Sequence, residues 1–231
     1  MSLILWGEVM KSKEDVPKKT VKVKITDTVN ANPLKQPGLL QGIMKSVDSS
    51  HLSDSEANRT YEKQKEVVLK LVKRIIEKKD GDLEIKRGLL FYLLEPFTLG
   101  KGEVVFEALK RADEKLVMDL IDMAGPNAPT NDEIVSYANF AQNLGIENAF
   151  CALLSVNPDK TMLIAMKAKG VSEGIKDAFA FLESRENPGM DVSQLTYFLV
   201  WGLLRPVDNY PNPVHSENFE SVVEDFLRGS K

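Results

Sequence analysis

The sequence predicts an all-α fold, a multi-helix bundle or stacked helix pairs with about ten helices, preceded by a short extended, β-like N-terminal arm. Two observations support this fold class. From residue 38 onward, apolar residues recur at helical spacing, and most of these segments end near a glycine or a proline. Hydrophobic residues form 43% of the chain and charged residues 28%, which is enough apolar material for a sizeable core.

The N-terminal arm and its linker are expected to occupy residues 1–37. The run Leu3-Ile4-Leu5-Trp6 is short and strand-like. Within residues 19–27, three aliphatic side chains alternate with lysine and threonine, so an extended chain has one apolar and one basic face. A two-stranded ribbon is marginal in water, so the arm is expected to bury its apolar side chains against the helical domain or another chain.

The helical domain is expected to span residues 38–231, with a candidate sub-boundary near 125–130. Capping boxes at Ser53-Asp54-Ser55-Glu56 and Thr130-Asn131-Asp132-Glu133 mark two helix starts. The predicted helices are 38–47, 55–79, 83–94, 103–123, 130–145, 146–156, 159–169, 172–184, 191–204 and 216–228. The segment 191–204 is apolar nearly all round, which predicts either a central core helix or one covered by a partner.

Cysteine content and apolar run length predict a cytoplasmic protein without a membrane span. Cys151 is the only cysteine in the sequence, so no intramolecular disulfide can form. The apolar runs are far shorter than the roughly 20 residues that cross a bilayer. No basic residue precedes the first apolar run, which is unlike a secretory signal peptide.

Charge is unevenly distributed along the chain. The net charge of −4 argues against a protein whose whole surface binds polyanions, but it is compatible with a local basic groove. Residues 1–47 have eight lysines and four acids, whereas residues 171–231 have five bases and ten acids. The two ends of the chain either attract each other between neighbouring copies or are simply solvated surfaces.

The sequence contains no recognisable catalytic or metal-binding motif. His51, His215 and Cys151 are scattered and lack the spacing of a zinc site. The segment Leu99-Gly100-Lys101-Gly102 has the composition of a phosphate-binding turn, but a helix-entry turn explains it better. We therefore expect a protein that is not an enzyme and that needs neither a cofactor nor a metal.

One basic stripe is a candidate nucleic-acid-binding face. Its predicted members lie on two consecutive helices: Arg59, Lys63, Lys70, Arg74, Lys86 and Arg87. Lys110 and Arg111 follow on the next helix, and Tyr61, Phe91 and Tyr92 are candidate stacking residues. Such a groove would follow a phosphate backbone without reading bases. The alternative is a solvated helix face, since Glu66 and Lys70 have the spacing of an ordinary intrahelical pair.

These observations favour a non-enzymatic assembly protein that forms homo-oligomers and packages single-stranded RNA. Its arm would dock on a neighbouring copy by strand addition and by burying apolar side chains. The predicted self-association residues are Leu3, Leu5, Trp6, Val21, Val23 and Ile25. RNA-virus nucleocapsid and coat subunits have the same plan of exchangeable arm and α-helical body, which is an analogy of architecture only.

Two other functions fit the sequence less well. A helical adaptor or regulatory module would bind a protein partner in a groove between helices and would not need the arm. An enzyme with a site built from scattered carboxylates is the third hypothesis, and the sequence offers no motif for it. Removal of residues 1–37 distinguishes the assembly hypothesis from the adaptor hypothesis.

Overall fold

The computed structural model describes residues 54–186, 189–205 and 219–229. These residues form ten α-helices and no strand, which confirms the all-α prediction for this part of the chain. The helices are α1 (Asp54–Glu77), α2 (Leu83–Leu94), α3 (Glu103–Arg111), α4 (Glu114–Asp122), α5 (Asn131–Leu144), α6 (Ile146–Val156), α7 (Pro158–Lys169), α8 (Val171–Glu183), α9 (Val192–Leu199) and α10 (Phe219–Arg228). The predicted arm, the predicted helix 38–47 and the capping residues Ser53 and Ser216 lie outside the described residues.

The prediction of one helix over residues 103–123 is wrong, because the chain forms two helices there. Ala112 is extended, and the Asp113 side chain accepts a 3.2 Å hydrogen bond from the Leu116 amide, which starts α4. An aspartate in this position competes with helix continuation by capping a new helix. The apolar periodicity of both halves conceals this break.

The predicted helix starts at Thr130 and Asp191 are confirmed. The Thr130 hydroxyl accepts from the Glu133 amide, and the Glu133 carboxylate accepts from the Thr130 amide at 2.8 Å. Asp191 and Gln194 form the same reciprocal arrangement at the start of α9. Each box satisfies backbone donors that a helix start otherwise leaves unpaired.

Helix α7 is the centre of the core. Six consecutive residues, from Thr161 to Met166, are buried, so the helix is enclosed on all sides. It packs against α5, α6, α8 and α9. Gly174 allows α8 to approach closely, because a Cβ atom there would lie 2.6 Å from the Met166 backbone.

The prediction that 191–204 is a central core helix is only partly correct. Leu195, Leu199 and Val200 are buried, but Tyr197 and Trp201 are half-buried. The last turn, Val200–Leu204, is a π-helix. Among the described helices, none combines the length and apolar character that crossing a bilayer requires.

A buried guanidinium joins three parts of the fold. Arg87 on α2 is 1% exposed, and its guanidinium donates to the carbonyl oxygens of Met123, at 2.6 Å, and of Arg205. Glu84 lies 3.8 Å away as its ion-pair partner. Burial lowers the pKa of Arg87, and the nearby Glu84 carboxylate partly offsets this effect. The side chain therefore fixes the end of α4 and the end of the α9 segment to α2.

Replacing this side chain should strongly destabilise the fold. We expect Arg87→Met to lower the free energy of unfolding by about 3 kcal/mol or more, because the buried side chain loses its two hydrogen bonds and the carbonyl groups of Met123 and Arg205 lose a charged donor. The exposed Arg59→Met should change it by no more than about 0.5 kcal/mol. Urea unfolding followed by circular dichroism measures both, and equal small effects would contradict the structural role of Arg87.

Candidate nucleic-acid interface

Helix α1 has one buried face and one polar face. Val68, Leu71, Val72 and Ile75 are buried where α1 packs against α2 and α3. Because the apolar residues follow helical spacing, the charged residues between them are left on the outer side. The sequence therefore determines both how α1 packs and which side chains it exposes.

The outer side of α1 and the end of α3 form a basic groove of about 740 Å3. It is lined by six cationic side chains, two carboxylates and one leucine: Arg59, Lys63, Lys65, Lys70, Lys73, Arg111, Glu62, Glu66 and Leu69. Six positive charges and two negative charges give the lining a net charge of +4. The chain as a whole is acidic, so this surface differs in sign from the average of the molecule.

Some of these cationic side chains form weak ion pairs with glutamates of the same helix. Lys70 Nζ lies 2.6 Å from Glu66 Oε1, and both side chains are more than half exposed. Arg111 pairs with Glu107 at 2.6 Å in the same manner. Exposed pairs of this kind contribute about 0–1 kcal/mol, so a phosphate group can replace the carboxylate partner at little cost.

Arg59 and Lys63 form no ion pair with the described residues. Both are exposed and stand one helical turn apart on the groove. An anionic ligand can therefore bind them without displacing an ion-pair partner among the described residues.

The structure places only part of the predicted stripe in this groove. Arg59, Lys63 and Lys70 line it, whereas Arg74 is exposed on α1 but is not among the lining residues. Lys65 and Lys73 join the lining although the predicted spacing omits them.

Lys86 and Arg87, which the sequence places in the nucleic-acid-binding stripe, are buried in this structure. Lys86 is 6% exposed, and its ammonium group donates to the Lys78 carbonyl oxygen. Burial lowers the pKa of Lys86, and the neighbouring Lys78 lowers it further. Arg87 is bound to the main chain as described above. Both residues connect α2 to its surroundings and are withdrawn from the surface.

Two of the predicted stacking residues, Tyr61 and Phe91, make contacts within the fold. Tyr61 is half-buried, and its hydroxyl donates to Glu103 at 3.2 Å. Burial raises its pKa, and the charge of Glu103 raises it further. Phe91 is buried with its ring centroid 6.0 Å from that of Trp201. None of the described residues that line the groove is aromatic, so their chemistry suits phosphate contacts rather than base stacking.

Other chemistry has no comparable site among the described residues. That part of the chain contains no group of three or more metal-ligating side chains. Cys151 is a half-buried free thiol on α6. Gly102 is the N-cap of α3 and packs against Thr196, so the glycine-rich segment serves as a helix-entry turn.

Comparison of the chain with protein-family models, with curated proteins and with solved structures found no match in any of the three. The groove and its charges are therefore the basis for assigning a function.

The groove residues should contribute little to folding. We expect Lys70→Ala to change the free energy of unfolding by less than about 0.5 kcal/mol, because its pair with Glu66 is exposed. Urea unfolding checks this value. A loss above about 1 kcal/mol would show that Lys70 stabilises α1 and is not reserved for a ligand.

Proposed function

We propose that this chain is a non-enzymatic assembly protein that self-associates through its N-terminal arm and holds single-stranded nucleic acid against the basic groove. The observation behind the proposal is the excess of six cations over two carboxylates along one groove of an otherwise acidic protein. Exposed lysines and arginines bind phosphate by releasing condensed counterions, without dependence on sequence.

The dimensions of the groove fit a strand rather than a single phosphate. Arg59 and Lys73 are fourteen positions apart on α1, which corresponds to about 21 Å along the helix axis. Several consecutive phosphates can lie within that length. Contacts from lysine and arginine to phosphate groups carry no sequence information, so binding in this groove should tolerate any base.

The groove is tested by reversing the two cations that have no described ion pair. We expect the full-length Arg59→Glu, Lys63→Glu variant to bind a labelled oligouridine at least about tenfold more weakly in fluorescence anisotropy. Because two phosphate contacts are lost, the slope of log affinity against log salt should fall by about 1.4.

The matched control reverses two exposed lysines outside the groove, Lys115→Glu and Lys176→Glu. This control has the same change in net charge and should retain most of the affinity and the original salt slope. Equal losses in both variants would show that binding depends on net charge alone and would contradict a groove-specific interface.

The arm is tested by removing residues 1–37. We expect this deletion to abolish higher oligomers in size-exclusion chromatography with light scattering, since the predicted self-association residues are removed. The helical signal per residue in circular dichroism should show that the remaining domain stays folded. A folded deletion variant that keeps the oligomeric state of the full chain would contradict assembly through the arm.

A second candidate function, a helical adaptor, is favoured by another groove. This groove has a volume of about 720 Å3, lies between α3, α4 and α8, and includes Leu109, Ile175 and Phe179 with Lys110 and Glu183 at its edge. Its apolar floor with charged edges suits a peptide or a helix of a partner protein. A monomer that does not bind oligouridine would favour this function over assembly.

A further inference from the structure

The basic groove adjoins a second groove, which lies between α3, α4 and α8 and which we refer to as the α3–α8 groove. The two grooves lie on either side of the C-terminal end of α3. Arg111 lines the basic groove, and its neighbour Lys110 lines the α3–α8 groove. Both side chains are exposed, and Lys110 forms no ion pair with the described residues. A strand that follows the basic groove to Arg111 can therefore continue past Lys110 into the α3–α8 groove.

Contacts between α1 and α3 place this junction at one end of the basic groove. The hydroxyl of Tyr61, in the first third of α1, donates to Glu103, at the start of α3, at 3.2 Å. Further along both helices, Val72 and Leu109 line one apolar cavity. The two helices therefore run in the same direction, and the end of α3 with Arg111 lies beside the C-terminal half of α1.

An aromatic ring lies next to Lys110 in the α3–α8 groove. Phe179 is half-buried, and its ring centroid is 5.1 Å from that of Phe106, which holds the ring in place. The Lys110 ammonium lies 5.3 Å from the Phe179 ring centroid. Because Lys110 is exposed, a base can stack on the ring while the ammonium group moves to a neighbouring phosphate. Stacking of a base on an aromatic ring is stronger than an exposed cation–π contact, so this exchange is favourable.

The charge of the α3–α8 groove suits a base better than a phosphate. Two lysines, Lys110 and Lys176, and two glutamates, Glu114 and Glu183, give its lining a net charge of zero. The Lys176 ammonium pairs with Glu173, toward the start of α8, so we expect Lys110 alone to contact the strand. The volume of about 720 Å3 is in the range of pockets that hold small organic ligands, and a base with its sugar is of that kind.

We infer that one nucleotide of the bound strand leaves the basic groove at Arg111 and stacks its base on Phe179, while Lys110 contacts the adjoining phosphate. This inference rests on the proposed function and adds a base contact to a site that otherwise binds phosphate groups. Stacking on an aromatic ring tolerates every base, so the contact adds affinity without sequence preference. A duplex cannot make this contact without unpairing the base, so the contact favours single strands.

Replacing the ring by an aliphatic side chain tests the stacking contact. We expect the full-length Phe179→Leu variant to bind a labelled oligoadenylate at least about fivefold more weakly in fluorescence anisotropy. Its affinity for an abasic strand of the same length should be unchanged. The slope of log affinity against log salt should also be unchanged, because no phosphate contact is lost. Phe179→Tyr retains the ring and should bind both strands like the unsubstituted chain.

The matched control is Phe140→Leu, which removes an exposed aromatic ring on α5 that lines neither groove. This control should leave both affinities unchanged, and circular dichroism should show that every variant is folded. If Phe179→Leu binds the oligoadenylate as tightly as the unsubstituted chain, the inference is wrong. An equal loss for the oligoadenylate and the abasic strand would also overturn it, because the ring would then not contact a base.

Photo-cross-linking tests the same contact without a substitution. An oligouridine containing 5-iodouridine is irradiated in complex with the full-length chain, and the tryptic peptides are identified by mass spectrometry. We expect a cross-linked nucleotide on the peptide 177–185, which contains Phe179 and is released by cleavage after Lys176 and Arg185. Cross-links confined to peptides of α1 would contradict a base contact at Phe179.

The inference and the proposed function fail in different ways. If Phe179→Leu binds normally while the Arg59→Glu, Lys63→Glu variant binds weakly, the basic groove holds the strand alone and only the inference is wrong. If the unsubstituted chain binds neither strand, the inference and the proposed function are both wrong, and the α3–α8 groove favours the adaptor function.

Discussion

Helix α7 can be enclosed on every side only if several other helices pack around it. Its six consecutive buried residues, from Thr161 to Met166, face α5, α6, α8 and α9. Burial of a whole helix removes a large apolar area from water, and this constraint fixes the arrangement of the second half of the fold. Gly174 satisfies a further requirement, because it lets the backbone of α8 approach α7 closely.

The surfaces available for binding follow from this arrangement. Helix α1 uses one apolar stripe against α2 and α3, which leaves its basic side outside. Helix α5 buries Tyr137, whose hydroxyl donates to the buried Asp177 at 2.8 Å, while Phe140 and Leu144 remain exposed. The chain thus exposes a basic groove on α1 and individual apolar side chains on α5.

The sequence predicts most of the secondary structure because local signals mark it. Glycine, proline and capping residues specify the ends of α2, α5, α6, α7 and α8 within a residue or two. The break at Asp113 is missed, because the apolar period continues through it. The burial of Lys86 and Arg87 is missed for a different reason: main-chain carbonyl groups from Lys78, Met123 and Arg205 accept their hydrogen bonds only in the folded protein.

The binding surfaces are less predictable than the helices. Periodicity identifies Arg59, Lys63 and Lys70 as neighbours on α1, but the contribution of Arg111 depends on how α3 packs. The exposure of Val135, Leu144 and Val156 cannot be deduced from their apolar character, which favours burial. Only the tertiary arrangement shows which apolar residues are left without cover.

Size-exclusion chromatography with light scattering on the purified full-length chain is the most direct test of assembly on nucleic acid. The absorbance ratio that distinguishes nucleic acid from protein should be read across each peak. Assembly on nucleic acid predicts large particles whose bound nucleic acid dissociates at high salt. A monomer or dimer with the absorbance ratio of pure protein would contradict it.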